Sequence, residues 1–330
     1  MTGNTGNTGN TGNTGNAGIS GDAGGWFVPD RADFPFSMET TPAGIRIRDL
    51  KRPVHIHLDP AAGASRKVLF TNGGIGSGSV AFADRNWAAR WHAFHILTEF
   101  AATNWHTTTL QNTLADILLA LNGYDGTETR QALEIRNLLA AARDERASAL
   151  GEILSQDVEF ITAFMEALAM TPASHPHTFR ILHIASLVGS FTALYYKQVF
   201  QRPRPSWECP ALMPPVPVPG HSAYPSGHAT QAHLIAACVE HVLKSVTPAL
   251  PPAETTAVAD TLKALAKRVA RNREIAGLHY PSDSAAGAAL AAAAFAKLSH
   301  KSSTGPSAGQ YSIKSFGASA TRAAAEWKAG

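Results

Sequence analysis

Apolar and polar residues change rhythm twice along this chain. Residues 2–16 are five tandem Thr-Gly-Asn triplets with no apolar side chain to bury. Glycine also makes ordering costly there, so residues 1–25 read as a disordered tail. From residue 43 to 70 apolar and polar positions alternate: Ile45-Arg-Ile-Arg-Asp, Val54-His-Ile-His-Leu and Lys67-Val-Leu-Phe, with Pro and Gly between them. That period predicts two or three short strands, packed as a small sheet on the outside of the main domain. From about Ala83 the period becomes helical. Trp87, Trp91, Phe94, His95 and Thr98 share one face, as do Leu110, Leu114, Ile117, Leu118 and Leu121. An aromatic stripe at that spacing predicts core rather than a cofactor box.

Further helices are predicted over Gln131–Leu150, Val158–Ala169, Ile181–Gln201, Ala229–Lys244 and Ala253–Glu274, with a last one beginning near Ser282. Pro203 and Pro205 stop the helix that carries Lys197. The fold class is therefore all-α, a multi-helix bundle of eight to ten helices with a small N-terminal β element. The organisation is a tail (1–25), a β-containing segment (26–82), a helical catalytic domain (83–300) and a C-terminal tail (301–330).

Composition narrows this picture. With 45% hydrophobic and 16% charged residues, a 330-residue chain can bury a large core. A net charge of +3 is too near neutral to point to nucleic acid. No basic region followed by an apolar stretch opens the chain, and no run reaches the length of a membrane span. The expectation is a cytoplasmic or otherwise soluble protein with no membrane partner. Cys209 and Cys238 lack metal-ligand spacing and read as ordinary thiols, with a single disulfide left open. Gly74-x-Gly76-x-Gly78 departs from the dinucleotide fingerprint and reads as a connector. The long amphipathic helices could pack within one chain or across a homodimer.

The chemistry lies in three ordered motifs: Lys197-x6-Arg204-Pro205, Pro225-Ser226-Gly227-His228 and Arg273-x5-His279-x3-Asp283. Arg204 and Arg273 offer permanent cationic forks, and Lys197 a compact charge with a tunable pKa. Lys197 and Arg204 would share a side if their helix persists close to Pro203. Ser226 fits an N-cap, and Gly227 lets a backbone N–H face an anion at the positive end of a helix. Asp283 is placed to accept from one ring nitrogen of His279, leaving the other free as nucleophile or ligand. His228 is left as general acid or base. Each motif alone has an ordinary structural explanation, but one tetrahedral-oxyanion site accounts for all three. His55, His57, His92, His95, His106, His175, His177, His183 and His233 are expected to be structural.

These motifs resemble those of the superfamily joining type 2 phosphatidic acid phosphatases (PAP2), bacterial class A acid phosphatases and vanadium-dependent haloperoxidases. The resemblance covers roughly residues 190–290 and departs at Asn272, where the pattern has Ser. It implies a helical bundle with Lys197, Arg204, Ser226, Gly227, His228 and Arg273 around the oxyanion. In the phosphatases the residue matching His279 attacks phosphorus and the one matching His228 protonates the leaving group. In the haloperoxidases the same histidine ligates vanadium, and the bound vanadate activates hydrogen peroxide to oxidise halide. There the lysine polarises the bound peroxide. His221, seven residues before His228, is similar in placement to a histidine of algal bromoperoxidases and is expected to tune halide use. The favoured expectation is therefore a bacterial vanadate-dependent haloperoxidase acting on hydrogen peroxide, bromide and small organic substrates. The alternative is an acid phosphatase working through phospho-His279, since phosphate fits the same site.

Overall fold

The computed structural model describes four strands between residues 38 and 72, then residues 88–303 and 308–327. The Thr-Gly-Asn repeat, Trp87 and the connector after Asn72 lie outside the described residues. The chain divides into two compact units, one over residues 20–88 and one beginning at Ala89.

In the first unit, β1 (Met38–Thr41) pairs antiparallel with β2 (Gly44–Ile47), and β3 (Val54–Leu58) with β4 (Val68–Asn72). The alternation therefore forms two separate hairpins rather than one small sheet.

The second unit is the all-α bundle that the helical period predicts. Its helices are α1 (Ala89–Ala101), α2 (Thr108–Leu119), α3 (Arg130–Asp144), α4 (Arg146–Val158), α5 (Ile161–Ala167) and α6 (Pro176–Phe200). They continue as α7 (Pro205–Glu208), α8 (Gly227–Lys244), α9 (Pro252–Ile275), α10 (Pro281–Leu298) and α11 (Lys314–Ala325). A two-residue hairpin, β5 (Tyr124–Asp125) with β6 (Glu128–Thr129), precedes α3. α8 is the axial helix, packed against α6, α9 and α10. Its two ends carry opposite signals. Ser226 caps the start by accepting from Ala229 N, and His241 and Lys244 lie in the last turn, where cations suit the helix dipole. Small residues let these helices approach. A Cβ on Gly287 of α10 would stand 2.8 Å from both Ala229 Cβ and Ser226 O, and one on Gly189 of α6 would stand 2.9 Å from Gln231 Cα.

Three expectations change. The aromatic stripe on α1 faces outward: Trp91 is 48% exposed, while Ala89, Ala93, Ile96 and Phe100 form the buried face. Aromatic spacing fixed a face but could not say which of two faces meets the core. The single helix expected over Gln131–Leu150 is broken at Glu145, whose carboxylate pairs with Arg271. Beyond the break, Arg146 donates to Ile275 O and Met213 O, both at 3.0 Å, and this anchors α4 on the end of α9. Finally, the segment beyond residue 300 contains α11, with Phe316 fully buried. Glu326, just after α11, accepts from the N-terminal backbone N–H groups of His177 and Thr178 on α6. A carboxylate at a helix N-terminus is a stabilising cap rather than tail behaviour.

Both cysteines are free thiols, with Cys238 buried. Among the described residues no helix is long and apolar enough to cross a membrane.

Candidate oxyanion site

Five helix termini deliver the predicted residues to one place. α6 ends at Phe200, and Gln201 takes a left-handed conformation (φ 49°). The helix therefore does not persist to Pro203, and Arg204 arrives on the turn that starts α7. Lys197 still meets it. Its Nζ donates to Ser222 O and Ala223 O, both at 2.8 Å, and Ser222 Oγ donates back to Lys197 O. The loop before α8 is thus pinned to the last turn of α6.

Arg204 is 1% exposed and spends its fork on the same neighbourhood. Nε donates to His221 O at 3.0 Å, Nη2 to His221 Nδ1 at 3.0 Å, and Nη1 to Leu278 O at 2.8 Å and His279 Nε2 at 3.2 Å. A guanidinium only donates, so His279 Nε2 is an acceptor here and carries no proton. That assigns one tautomer. His279 keeps its proton on Nδ1, which donates to Asp283 Oδ2 at 3.2 Å. Its Nε2 lone pair points at the cationic cluster. His221 Nδ1 also lies 3.2 Å from Ser222 O, which only a protonated nitrogen could bond, so its two contacts require opposite tautomers.

Asp283 is fully buried and sits in the first turn of α10, as the spacing predicted. Its Oδ2 also accepts from Tyr280 N at 3.0 Å, and its backbone carbonyl accepts from Ser226 N at 2.9 Å. The Ser226-Gly227 turn is thereby tied to the third motif. No contact to Gly227 N beyond the helix start defines its role.

His228, in the first turn of α8, donates from Nε2 to Gln156 O at 3.1 Å, which leaves Nδ1 unengaged by that bond. Arg273 is fully buried at the end of α9 and donates from Nη2 to Ile153 O. Its Nε and Nη1 have no hydrogen-bond partner, and Asp157 Oδ1 is 3.6 Å from Nη1, beyond bonding length. Buried guanidinium donors without acceptors are costly, and Asp157 meets this pair only at ion-pair range.

Electrostatics agree. Burial, with Arg204 adding to it, lowers Lys197 well below the usual lysine value. Burial lowers Arg204 and Arg273 to about 10. His228 and His279 are held well below the ordinary histidine range, first by burial and then by the neighbouring cations. His221 is lowered to about 4 by burial and by Lys197 and Arg204. Each shift disfavours positive charge, and a bound anion would relieve every one of them.

Sequence reasoning missed the residues that brace this cluster. Arg202 donates from Nη1 to Asp283 Oδ1 and Ser282 Oγ, both at 2.7 Å, and from Nη2 to Glu134 Oε2 at 3.1 Å. Gln156 offers its carbonyl to His228, and its side-chain oxygen accepts from Asn272 Nδ2 at 3.0 Å. Asn272, the departure from the resembled pattern, therefore contacts the residue whose backbone carbonyl meets His228. Arg202 could have been suspected from the Arg-Pro-Arg-Pro run. Glu134 and Gln156 come from α3 and α4, and nothing in their local sequence marks them. Of the remaining histidines, His183 is a core residue with its ring edge against Phe179.

A cleft of about 410 Å³ opens on the Lys197, Arg204 and His221 side, with Leu194, Gln198 and Trp207 in its walls.

Comparison with known proteins follows the same residues. Residues 179–304 match a family model described as the PAP2 superfamily, a segment holding all three motifs. No curated protein matches the chain. Among solved structures the chain is similar to a transmembrane PAP2-type phosphatidylglycerolphosphate phosphatase from Bacillus subtilis. That chain is 17% identical, with 62% of this chain and 90% of that one covered and a TM-score of 0.29.

Proposed function

We propose that the chain is a phosphate-monoester hydrolase working through a phosphohistidine at His279. The observation that carries this reading is the His279 ring. Its Nδ1–H is fixed on Asp283, and its Nε2 lone pair faces Arg204. A nucleophile needs that lone pair free of a proton, and the orphaned Arg273 donors supply the complement for the phosphoryl oxygens.

The ester enters by the cleft beside Lys197 and Arg204. Arg204, Arg273 and Lys197 take the non-bridging oxygens. His279 Nε2 forms a bond to phosphorus as the bond to the leaving oxygen breaks, and His228 gives that oxygen a proton. Water then attacks the phosphohistidine, giving its proton to His228. Inorganic phosphate leaves and both histidines regain their starting states. His228 must be protonated for the first step. The charge of the bound ester raises its pKa from the depressed value of the free site.

The decisive experiment is p-nitrophenyl phosphate hydrolysis with rapid quench. Acid-labile phosphate on the wild-type chain that disappears in His279→Ala supports the reading. Turnover without that adduct in the wild type rejects it.

One observation favours the haloperoxidase reading: His221 is bonded to Arg204 at the cleft wall, on the path to the anion. The donor set also suits vanadate, an isostere of phosphate, with His279 Nε2 as ligand and Lys197, Arg204 and Arg273 as its counter-charges. Bound vanadate would supply peroxide activation for halide oxidation. Bleaching of a β-diketone with orthovanadate, hydrogen peroxide and bromide tests this branch, and absence of vanadate-dependent bleaching removes it.

A further inference from the structure

We infer that Arg202 and Glu134 are positioning residues for His279, acting through Asp283 and the first turn of α10. This rests on the reading of His279 as the nucleophile. Asp283 has two oxygens with different tasks. Oδ2 accepts from His279 Nδ1 and Tyr280 N, and Oδ1 accepts from Arg202 Nη1 at 2.7 Å. A carboxylate held at only one oxygen can rotate about its Cβ–Cγ bond, and the imidazole it orients would rotate with it. Arg202 closes that freedom.

Arg202 is itself held on three sides. Glu134 Oε2 lies 3.1 Å from Nη2, Ser282 Oγ lies 2.7 Å from Nη1, and the guanidinium stacks 3.6 Å from the centre of the Tyr280 ring. Glu134 does a second job. Its Oε1 accepts from Ser282 N at 2.7 Å and its Oε2 from Ser282 Oγ at 2.8 Å. A carboxylate on the first-turn N–H of a helix complements the helix dipole and fixes where the turn starts. The residues from His279 to Asp283 are therefore clamped from outside by a side chain of α3. Glu134 and Arg202 are both nearly buried, where an ion pair holds its geometry better than at a surface but is costly to break from one side. Glu134 lies outside the matched PAP2 segment, so this brace comes from the preceding helices.

The experiment compares wild type with Arg202→Met, Arg202→Lys and Glu134→Gln. Two readouts are used: kcat and KM on p-nitrophenyl phosphate, and the 15N shifts of the His279 ring, assigned by loss in His279→Gln. In the wild type Nδ1 carries the proton and Nε2 does not. Arg202→Met should lower kcat by about tenfold or more while KM moves much less, the signature of a positioning role. Its His279 signals should become a mixture of tautomers. Arg202→Lys should recover part of kcat, because the charge returns without the fork to Glu134. Glu134→Gln should shift the same two readouts in the same direction, by less. It also serves if Arg202→Met does not fold.

Wild-type kcat per active site together with an unchanged tautomer in Arg202→Met, or in Glu134→Gln where Arg202→Met does not fold, overturns the inference. Loss of melting temperature alone does so too. If the wild type hydrolyses no ester yet the tautomer shifts as described, the positioning role stands and the phosphatase reading falls.

Discussion

Arg204 Nη1 lies 3.2 Å from His279 Nε2 and donates to the lone pair that the proposed chemistry needs. In the free site this bond holds the nucleophile unprotonated. On the proposed reading, the oxygens of an entering anion would compete for the same N–H and release the lone pair toward the central atom. On that reading, one guanidinium would serve first as guard of the tautomer and then as part of the anion cradle.

Arg204→Met should therefore weaken both functions. Affinity for orthovanadate, measured by inhibition or calorimetry, should fall by about 1–3 kcal/mol, the usual worth of a charge-assisted hydrogen bond. kcat should fall as well. An unchanged vanadate affinity would remove Arg204 from the cradle.

Anion binding should take up protons. Burial and neighbouring cations lower Lys197 and His228 well below their ordinary values, and a bound dianion offsets those cations. The bound site holds more protons than the free one, so affinity must decrease as pH rises. Sulfate titrations from about pH 6.5 upward are suitable, because sulfate keeps its charge there. Calorimetry in two buffers of different ionisation enthalpy should show uptake; release, or none, would contradict this electrostatic picture.

Gly287→Ala should damage the site through the start of α8. The new methyl would meet Ala229 Cβ and Ser226 O at 2.8 Å. α10 would have to move from the start of α8, which separates Asp283 from Ser226. Overpacking of this kind costs about 1–3 kcal/mol. Thermal melting should show that loss alongside reduced turnover, and a neutral result would mean the helices have slack there.

Acid should destabilise the fold through buried histidines. Burial lowers His183 to about 4, with Arg90 adding to the effect, against an ordinary value of 6.5. The unfolded chain therefore binds its proton first, and stability falls as pH drops from 6.5 toward 4. The full effect is on the order of 3 kcal/mol for this one group, from 1.36 kcal/mol per unit. His183 Nε2 has no hydrogen-bond partner, so His183→Leu should flatten the acid limb of denaturant midpoints between pH 7 and 4.5. An unchanged limb would place the acid sensitivity elsewhere.

His221→Phe separates the two readings of the cleft. It removes the acceptor of Arg204 Nη2 while keeping a ring in the wall. A changed bromide-to-chloride preference under vanadate and peroxide would support halide tuning. A shift in ester KM without halogenation would make it a wall of the ester subsite.

Much of the site was legible because its parts are local. Asp283 follows His279 by four residues, and one helix start brings them within 3.2 Å. Ser226 precedes a helix and caps it. The three motifs also carry cations and histidines in an order that makes sense only if they meet. The brace was not legible. Glu134 and Arg202 are 68 residues apart, and their bond depends on how α3 packs against the start of α10. The same limit explains Trp91 and Phe94. Their spacing defines a helical face, but Ala93, Ile96 and Phe100 define another, and only the docking of α1 on α6 chose between them.

The sequence by itself determined the helical class and the His279–Asp283 pair, because each follows from periodicity or from contacts within one turn. Tertiary structure alone decided that Arg204 guards His279 Nε2, that Arg273 keeps two buried donors unspent, and that α3 and α4 supply Glu134 and Gln156 as supports. Those relationships join elements far apart in the chain, and their energies come from burial, which no local pattern encodes.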